Sequence, residues 1–202
     1  MSADASEPTL EIRAHRIIQS TIELAEEGGF EAVRLRDVAA RAEVAMGTLY
    51  RRFRSKEDLL VAALEVETRV LQDRIRARHP KGADARERAV QFFAITTRGM
   101  LRRPNLTRAM LRAAAAGEPE LAKKVGLFHE MMLRMIVGAL RDEGVVAKDA
   151  AMTDRERLVG EVLNQIWFAT MVGWSGDLQT QSSIIDRMSE AAGLILGDSS
   201  PA

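Results

Sequence analysis

The chain has 202 residues, 47% hydrophobic and 29% charged, with 29 basic side chains balancing 29 acidic ones. That composition belongs to a globular chain long enough for one sizeable core or two small ones. Cysteine is absent, which excludes disulfides, thiolate zinc sites and cysteine nucleophiles and fits a cytoplasmic protein. Zero net charge beside a large apolar fraction also disfavours a protein that coats nucleic acid.

The opening residues, MSADASEPTLEIR, are acidic and lack the apolar core of a secretory signal. Residues 1–9 are therefore expected to be a disordered lead-in. A first helix follows and ends at Gly28-Gly29-Phe30.

Residues 34–56, RLRDVAARAEVAMGTLYRRFRSK, are the most informative stretch. Leu35, Val38 and Ala39 recur at helical spacing, Ala42-Glu43-Val44 interrupts, and Leu49 and Phe53 resume the apolar face four residues apart. This is the pattern of a helix-turn-helix, with the second helix over 45–53. The segment holds seven basic residues against two acids, so the rest of the chain is acidic by the same margin and only this end suits a polyanion.

With Leu49 and Phe53 turned inward, Met46, Thr48, Tyr50, Arg51 and Arg52 fall largely on the outer side. Hydroxyls and guanidinium groups bond phosphate oxygens, Arg also pairs with guanine O6 and N7, and Met touches a thymine methyl. Gly47 lets the backbone approach a sugar-phosphate chain. Arg36 opens the first helix of the pair, Arg13 is a further phosphate candidate, and Ser55-Lys56-Glu57-Asp58 reads as an N-cap that presents Lys56 beside free N–H groups.

The remainder reads as helix throughout. The helix begun at Lys56 is broken by His79-Pro80-Lys81-Gly82, and another runs from Asp84 to about Arg102. A shorter one, Leu106 to Ala116, closes at Gly117; the next starts at Pro119 and is expected to be capped by Gly144. Thr153-Asp154-Arg155-Glu156 is a capping box for a helix carrying the uncharged run Val162 to Gly176, and a last helix spans Ser182 to Leu196. Fifteen residues with Asn164 and Gln165 among them are too few and too polar for a membrane span, which needs about 20. Alternating strand patterns are lacking. The expected fold is all-α: a lead-in at 1–9, a three-helix DNA-binding domain at 10–56, a helical effector-binding and dimerisation domain at 57–198, and a tail at 199–202.

From Ile12 to Leu60 the chain resembles the tetracycline-repressor family of one-component regulators, most specifically at Gly47-Thr48-Leu49-Tyr50 with Phe53 and Ser55-Lys56 following. It departs from the family pattern at Arg34, Glu43 and Ala45, where Thr, Gly and Ser are frequent. The resemblance implies a homodimer on double-stranded operator DNA, with the last two helices pairing between subunits; Trp174, Ile184, Ile185 and Met188 are the residues expected at that contact. Two half-sites related by a two-fold axis also require a dimer on physical grounds; the other reading of the uncharged run is the core helix of a monomer.

The 10 methionines are the second peculiarity. Met100, Met110, Met131, Met132, Met135 and Met171, with Phe92, Phe128 and Trp167, are candidates to line an apolar effector pocket, since thioether side chains reshape around irregular ligands. Taken singly, each methionine is better read as gap-filling core; it is their clustering with the aromatic residues that points to a cavity. Met100 to Ala113, MLRRPNLTRAMLRA, is similar to the matching region of family members that govern sterol catabolism in actinobacteria. That likeness implies a lipid, sterol-derived or acyl-coenzyme A effector, with Arg98, Arg102, Arg103 or Arg108 meeting phosphates; the alternative for these arginines is an ordinary solvated face.

An enzyme is the rival class. His15, His79 and His129 are far apart, and no HExxH, glycine-rich phosphate loop or GxSxG elbow is present. His129-Glu130 would sit about 100° apart on a helix, a poor catalytic pair. No catalytic residue, metal ligand or cofactor is assigned. A DNA-binding regulator without a small-molecule ligand also remains open.

Overall fold

The computed structural model describes residues 7–197, with side chains from residue 11. Most of the expected lead-in and tail therefore lies outside the described residues, although residues 7–9 are already helical rather than lead-in. Nine α-helices and one 3-10 turn are found in this span, and no strand. The described residues divide into two compact units, 7–66 with 103–124, and 67–102 with 125–197. This partition differs from the expected boundary at 56/57. Passage between the units occurs inside α4 (Lys56–Ala77), at residues 102/103, and inside α7 (Ala122–Leu140).

The first unit is built on α1 (Glu7–Ala32), α2 (Leu35–Arg41), α3 (Met46–Tyr50), the start of α4 and α6 (Pro104–Ala115). Within α1 the helical run breaks at Gly29, whose φ of 67° and ψ of −157° suit only a residue without a Cβ. Val38, Ala39, Leu49 and Phe53 are buried as their spacing predicts, Leu35 is only half-buried, and Ala42 of the turn is buried as well. Burying Leu49 and Phe53 contributes about 1.5–3 kcal/mol each.

Long-range polar contacts join α6 to α1. Arg103 pairs with the Glu26 carboxylate, whose pKa its guanidinium lowers, and Asn105 Nδ2 donates to the Glu26 carbonyl at 3.0 Å. Arg112 pairs with Glu31 at 3.0 Å and also lies over the Phe30 ring. At the start of α4, Ser55 Oγ accepts the Asp58 N–H at 3.1 Å, the N-cap bond expected from the sequence. The buried Asp58 carboxylate accepts in turn from the Arg54 N–H and pairs with Lys124.

The second unit comprises the rest of α4, α5 (Ala85–Leu101), most of α7, α8 (Asp154–Ser175) and α9 (Gln181–Leu196). Its caps follow the sequence closely. Asp84 accepts from the Glu87 N–H, and Thr153 with Glu156 forms the complete capping box. Glu156 is further held by both arms of Arg141 at 2.6 and 2.7 Å; those bonds and the Thr153 N–H lower its pKa to about 2.

Gly144 does not cap α7. Asp142 takes the left-handed position there, with φ 59°, and the Glu143 N–H returns to the Gly138 carbonyl at 2.8 Å. Gly144 instead brings its own carbonyl against Gly138, where a Cβ would stand only 2.5 Å from that oxygen. In the core of this unit, Phe93 packs on Trp167 with ring centroids 6.1 Å apart, and Trp167 Nε1 donates to Thr97 Oγ1 at 3.0 Å. The indole is thus fully buried without a lost hydrogen bond.

Candidate DNA-binding interface

Two short helices and their turn position the site. The Val44 N–H returns to the Ala39 carbonyl, and Glu43 adopts φ 53°, a conformation that glycine would accept more easily. Neither Arg34 before α2 nor Ala45 before α3 makes a side-chain cap bond. Regular helix in the second element covers only Met46–Tyr50, although the Arg52 and Phe53 N–H groups still bond the Leu49 carbonyl and so preserve the turn over most of the expected 45–53 span.

Leu49 faces the core, and the outer side presents Tyr50 at 55% exposure with Gly47, Arg51 and Arg52 exposed beside it. Met46 and Thr48 are half-buried at its edge. Arg51 donates to Thr48 Oγ1 at 3.2 Å, which holds its guanidinium along the face. A groove of about 280 Å³ joins Thr48, Arg51 and Arg52 to Arg13, Ala14 and Ile17 of α1. The fold thereby brings the sequence-distant Arg13 to the second helix.

The seven basic residues of this segment separate into two groups. Arg41 is bonded through both terminal nitrogens to the Glu27 carboxylate at 2.7 and 3.0 Å, which raises the Arg41 pKa and lowers that of Glu27. Lys56 pairs with Glu31 at 3.3 Å and lies over Phe30 at 3.9 Å. By contrast Arg51 and Arg52 have no carboxylate partner among the described residues, and the exposed Arg36 has only a 3.9 Å contact with Asp37. The charge available to an outside anion therefore lies at Arg36, Arg51, Arg52 and Arg13, and at the exposed Arg34 and Arg54, which have no ion-pair partner among the described residues either, with Lys56 already engaged.

The pocket candidates do not form one group. Met110 belongs to the first unit, on α6, while Phe92, Met100, Phe128, Met131, Met132, Met135, Trp167 and Met171 belong to the second. Phe92, Met135, Trp167 and Met171 are 0% exposed, so close-packed neighbours cover them completely. Met100 and Met131 are half-buried. Sequence reasoning missed a polar group nearby: buried Asn164 donates through Nδ2 to His129 Nδ1 at 3.1 Å, and its Oδ1 has no hydrogen-bond partner among the described residues. Burial holds the His129 pKa below the ordinary value of 6.5. Glu130 turns away to Arg134 at 2.7 Å, so His129 and Glu130 form no catalytic pair.

Most of the expected dimer residues are covered within a single protomer. Ile184 and Met188 are fully buried within their own chain and Trp174 nearly so, packed where α9 meets α5 and α8; only Ile185 is half-exposed. Side chains already covered in one protomer have little area to offer another. The outward face of α8 carries Leu158, Val162, Gln165, Ala169 and Val172 at alternating spacings of four and three.

A helix-turn-helix presenting arginines without carboxylate partners on one unit, with a separate helical unit bearing an apolar core, is the arrangement of a DNA-binding transcriptional regulator. Residues 17–63 match the family described as bacterial regulatory proteins, tetR family, and residues 82–195 match the tetracyclin repressor-like C-terminal domain. The chain belongs to the tetR family. It is 34% identical over 197 residues to the HTH-type transcriptional repressor KstR of Rhodococcus jostii (strain RHA1), a match covering 98% of this chain and 89% of that protein. Among solved structures, a TetR transcriptional regulator from Rhodococcus sp. RHA1 aligns with a TM-score of 0.81 at 24% identity, over 94% of this chain and 98% of that one. Thermus thermophilus FadR in complex with lauroyl-CoA aligns with a TM-score of 0.69 at 19% identity, over 94% of this chain and 99% of that one. Among the described residues, no helix is long and apolar enough to cross a membrane.

Proposed function

We propose that this chain is an effector-responsive repressor that binds operator DNA as a homodimer through α2 and α3 and is released by a hydrophobic ligand of lipid, sterol-derived or acyl-coenzyme A type. The observation that carries the DNA-binding part is the unpaired Arg51 and Arg52 beside Thr48, Tyr50 and Arg13, all anchored over buried Leu49 and Phe53. The name of the Rhodococcus jostii relative supports repression, and the lauroyl-CoA in Thermus FadR supports an acyl-chain effector. The outward seam Leu158, Val162, Gln165, Ala169 and Val172 on α8, apolar at all but Gln165, supports pairing of two copies, because 4–3 spacing is that at which two helices interlock. Asn164, whose amide oxygen has no partner among the described residues beside His129, would accept a hydrogen bond from a hydroxyl group of the effector.

A second reading, a regulator without a small-molecule ligand, is favoured by the complete packing of Phe92, Met135, Trp167 and Met171. One experiment separates the two. The protein is titrated onto DNA from upstream of its own coding region, with random duplex as control, alone and with long-chain fatty acids, sterol acids and their coenzyme A thioesters. Specific binding that one ligand class reverses supports the proposal. Specific binding insensitive to all of them favours the ligand-free reading, and equal affinity for both duplexes overturns the operator claim.

A further inference from the structure

The second unit carries a cleft of about 510 Å³ between the end of α4, the 78–83 connection and α5. Five permanent cations line it, Arg74 and Arg78 from one side, Arg98 and Arg102 from the other, and Lys81 from the connection; no carboxylate does. In a chain of zero net charge this is a local concentration rather than a general bias. Arg74 and Arg78 lie four residues apart, as do Arg98 and Arg102, an arrangement in which like charges repel along a helix.

Of the neighbouring charges, Arg76 pairs with Asp73 at 3.2 Å. Lys81 Nζ donates to His79 Nε2 at 2.6 Å, a bond that leaves the lysine charge uncompensated. Arg74, Arg78 and Arg102 have no ion-pair partner among the described residues, and Arg98 bonds only the Ala94 carbonyl, at 3.1 Å. Four of the five cations are guanidinium groups, whose planar forks match phosphate oxygens in pairs. Ile75, Pro80 and Ile95 give the cleft an apolar strip beside its charges, and its volume falls in the range of small-molecule sites.

We propose that this cleft is an anion site for a ligand carrying two or more phosphates next to a flat or apolar group, as in the pyrophosphate-linked nucleotide end of coenzyme A. The choice of coenzyme A as carrier rests on the acyl-coenzyme A reading above; the phosphate site rests on the cleft itself. Arg98 and Arg102, two of the four arginines the sequence offered for phosphates, come together here with Arg74, Arg78 and Lys81. Arg103 and Arg108 belong to the other unit, and Arg103 is committed to Glu26.

Calorimetry on the full chain tests this with coenzyme A, inorganic pyrophosphate, inorganic phosphate and a random DNA duplex as separate titrants. Coenzyme A and pyrophosphate should bind the parent, and Arg78→Glu or Arg98→Glu should weaken both at least tenfold while leaving the circular-dichroism spectrum unchanged. Gly99→Leu is an independent probe, because a Cβ added there meets no atom within 4 Å and Gly99 lines the cleft. It should fold normally and weaken coenzyme A more than inorganic phosphate. If neither coenzyme A nor pyrophosphate binds the parent at millimolar concentration, or both bind the charge-reversed variants equally well, the site is wrong. Loss of random-duplex binding in those variants, without coenzyme A binding in the parent, would assign the cleft to DNA instead. Coenzyme A binding that persists while no thioester releases operator DNA would remove the effector reading and leave the anion site standing.

Discussion

Arg41 and Arg51 are the same residue type ten positions apart on the same basic segment, and only their partners tell them apart. Arg41 closes on Glu27, whereas Arg51 is steadied by Thr48 and ends unpaired. Arg51→Ala should therefore cost operator binding about 1–3 kcal/mol and relax preference at one base position, read by competition with operators mutated base by base. Arg41→Ala should leave base preference unchanged; a shift as large as that of Arg51→Ala would reverse these roles. The net charge of the segment was legible, but the sorting was not, because Glu27 and Glu31 lie on a different helix from the bases they neutralise. A second residue-scale test concerns Glu156. Its folded pKa of about 2 lies below the ordinary 4.5 because Arg141 and the Thr153 N–H bond the charged form. A depressed carboxyl pKa means stability that is present above 4.5 and lost as pH falls toward 2. Urea midpoints of the parent should exceed those of Glu156→Gln near neutrality and converge across that window, while a gap that stays constant with pH would point to packing rather than charge.

At the scale of elements, the sequence was most reliable where a side chain signals its own local bond. Asp84, Thr153 and Ser55 were legible as caps because the partner N–H lies three residues on. Where the chain departs from the family pattern, Arg34 and Ala45 make no side-chain cap bond and Glu43 is left-handed. Ala45→Ser should supply the missing acceptor at the start of α3 and raise stability by about 1 kcal/mol in urea unfolding; no gain would mean that the Ala45 geometry cannot orient a hydroxyl toward the next turn. Gly144 failed as an expected cap because the same residue type serves two purposes, and here close backbone approach to Gly138 decides its place while Asp142 takes the turn. The place of α6 was illegible too. Its ties to α1 run through Arg103, Asn105 and Arg112 to residues some 80 positions earlier, and no local pattern encodes such a contact.

For the whole molecule, the relevant surfaces are those left uncovered once each chain has packed itself. Ile184→Glu would place a charge in the core and unfold the protomer, so it cannot test assembly. Leu158, 61% exposed, and Ala169 can accept carboxylates without disturbing that core. Leu158→Glu with Ala169→Glu should give a folded monomer in sedimentation that loses operator affinity, and a variant still dimeric at micromolar concentration would move the interface off α8. The switch follows from the same separation of surface and core. A ligand lowers DNA affinity only through its preference for the DNA-incompetent state, and roughly 100-fold preference supplies about 2.7 kcal/mol. Such a preference needs an interior that changes on binding, and the packed Phe92, Met135, Trp167 and Met171 offer one, since an effector entering there must displace side chains already in contact. The chain crosses between the units three times, within α4, at 102/103 and within α7, so α4 is not the sole covalent route for that displacement. Met132→Trp would overpack the centre at a cost of about 1–3 kcal/mol. Phe128→Trp is a smaller enlargement, at a side chain that meets the half-buried Phe168 with ring centroids 6.1 Å apart. It should keep operator affinity and blunt release by a long-chain thioester at least tenfold, measured by DNA titration with and without the ligand. Equal release from parent and Phe128→Trp would place the effector elsewhere, and Phe128→Trp with weakened operator binding in the absence of ligand would mean that this packing itself sets the DNA-competent state.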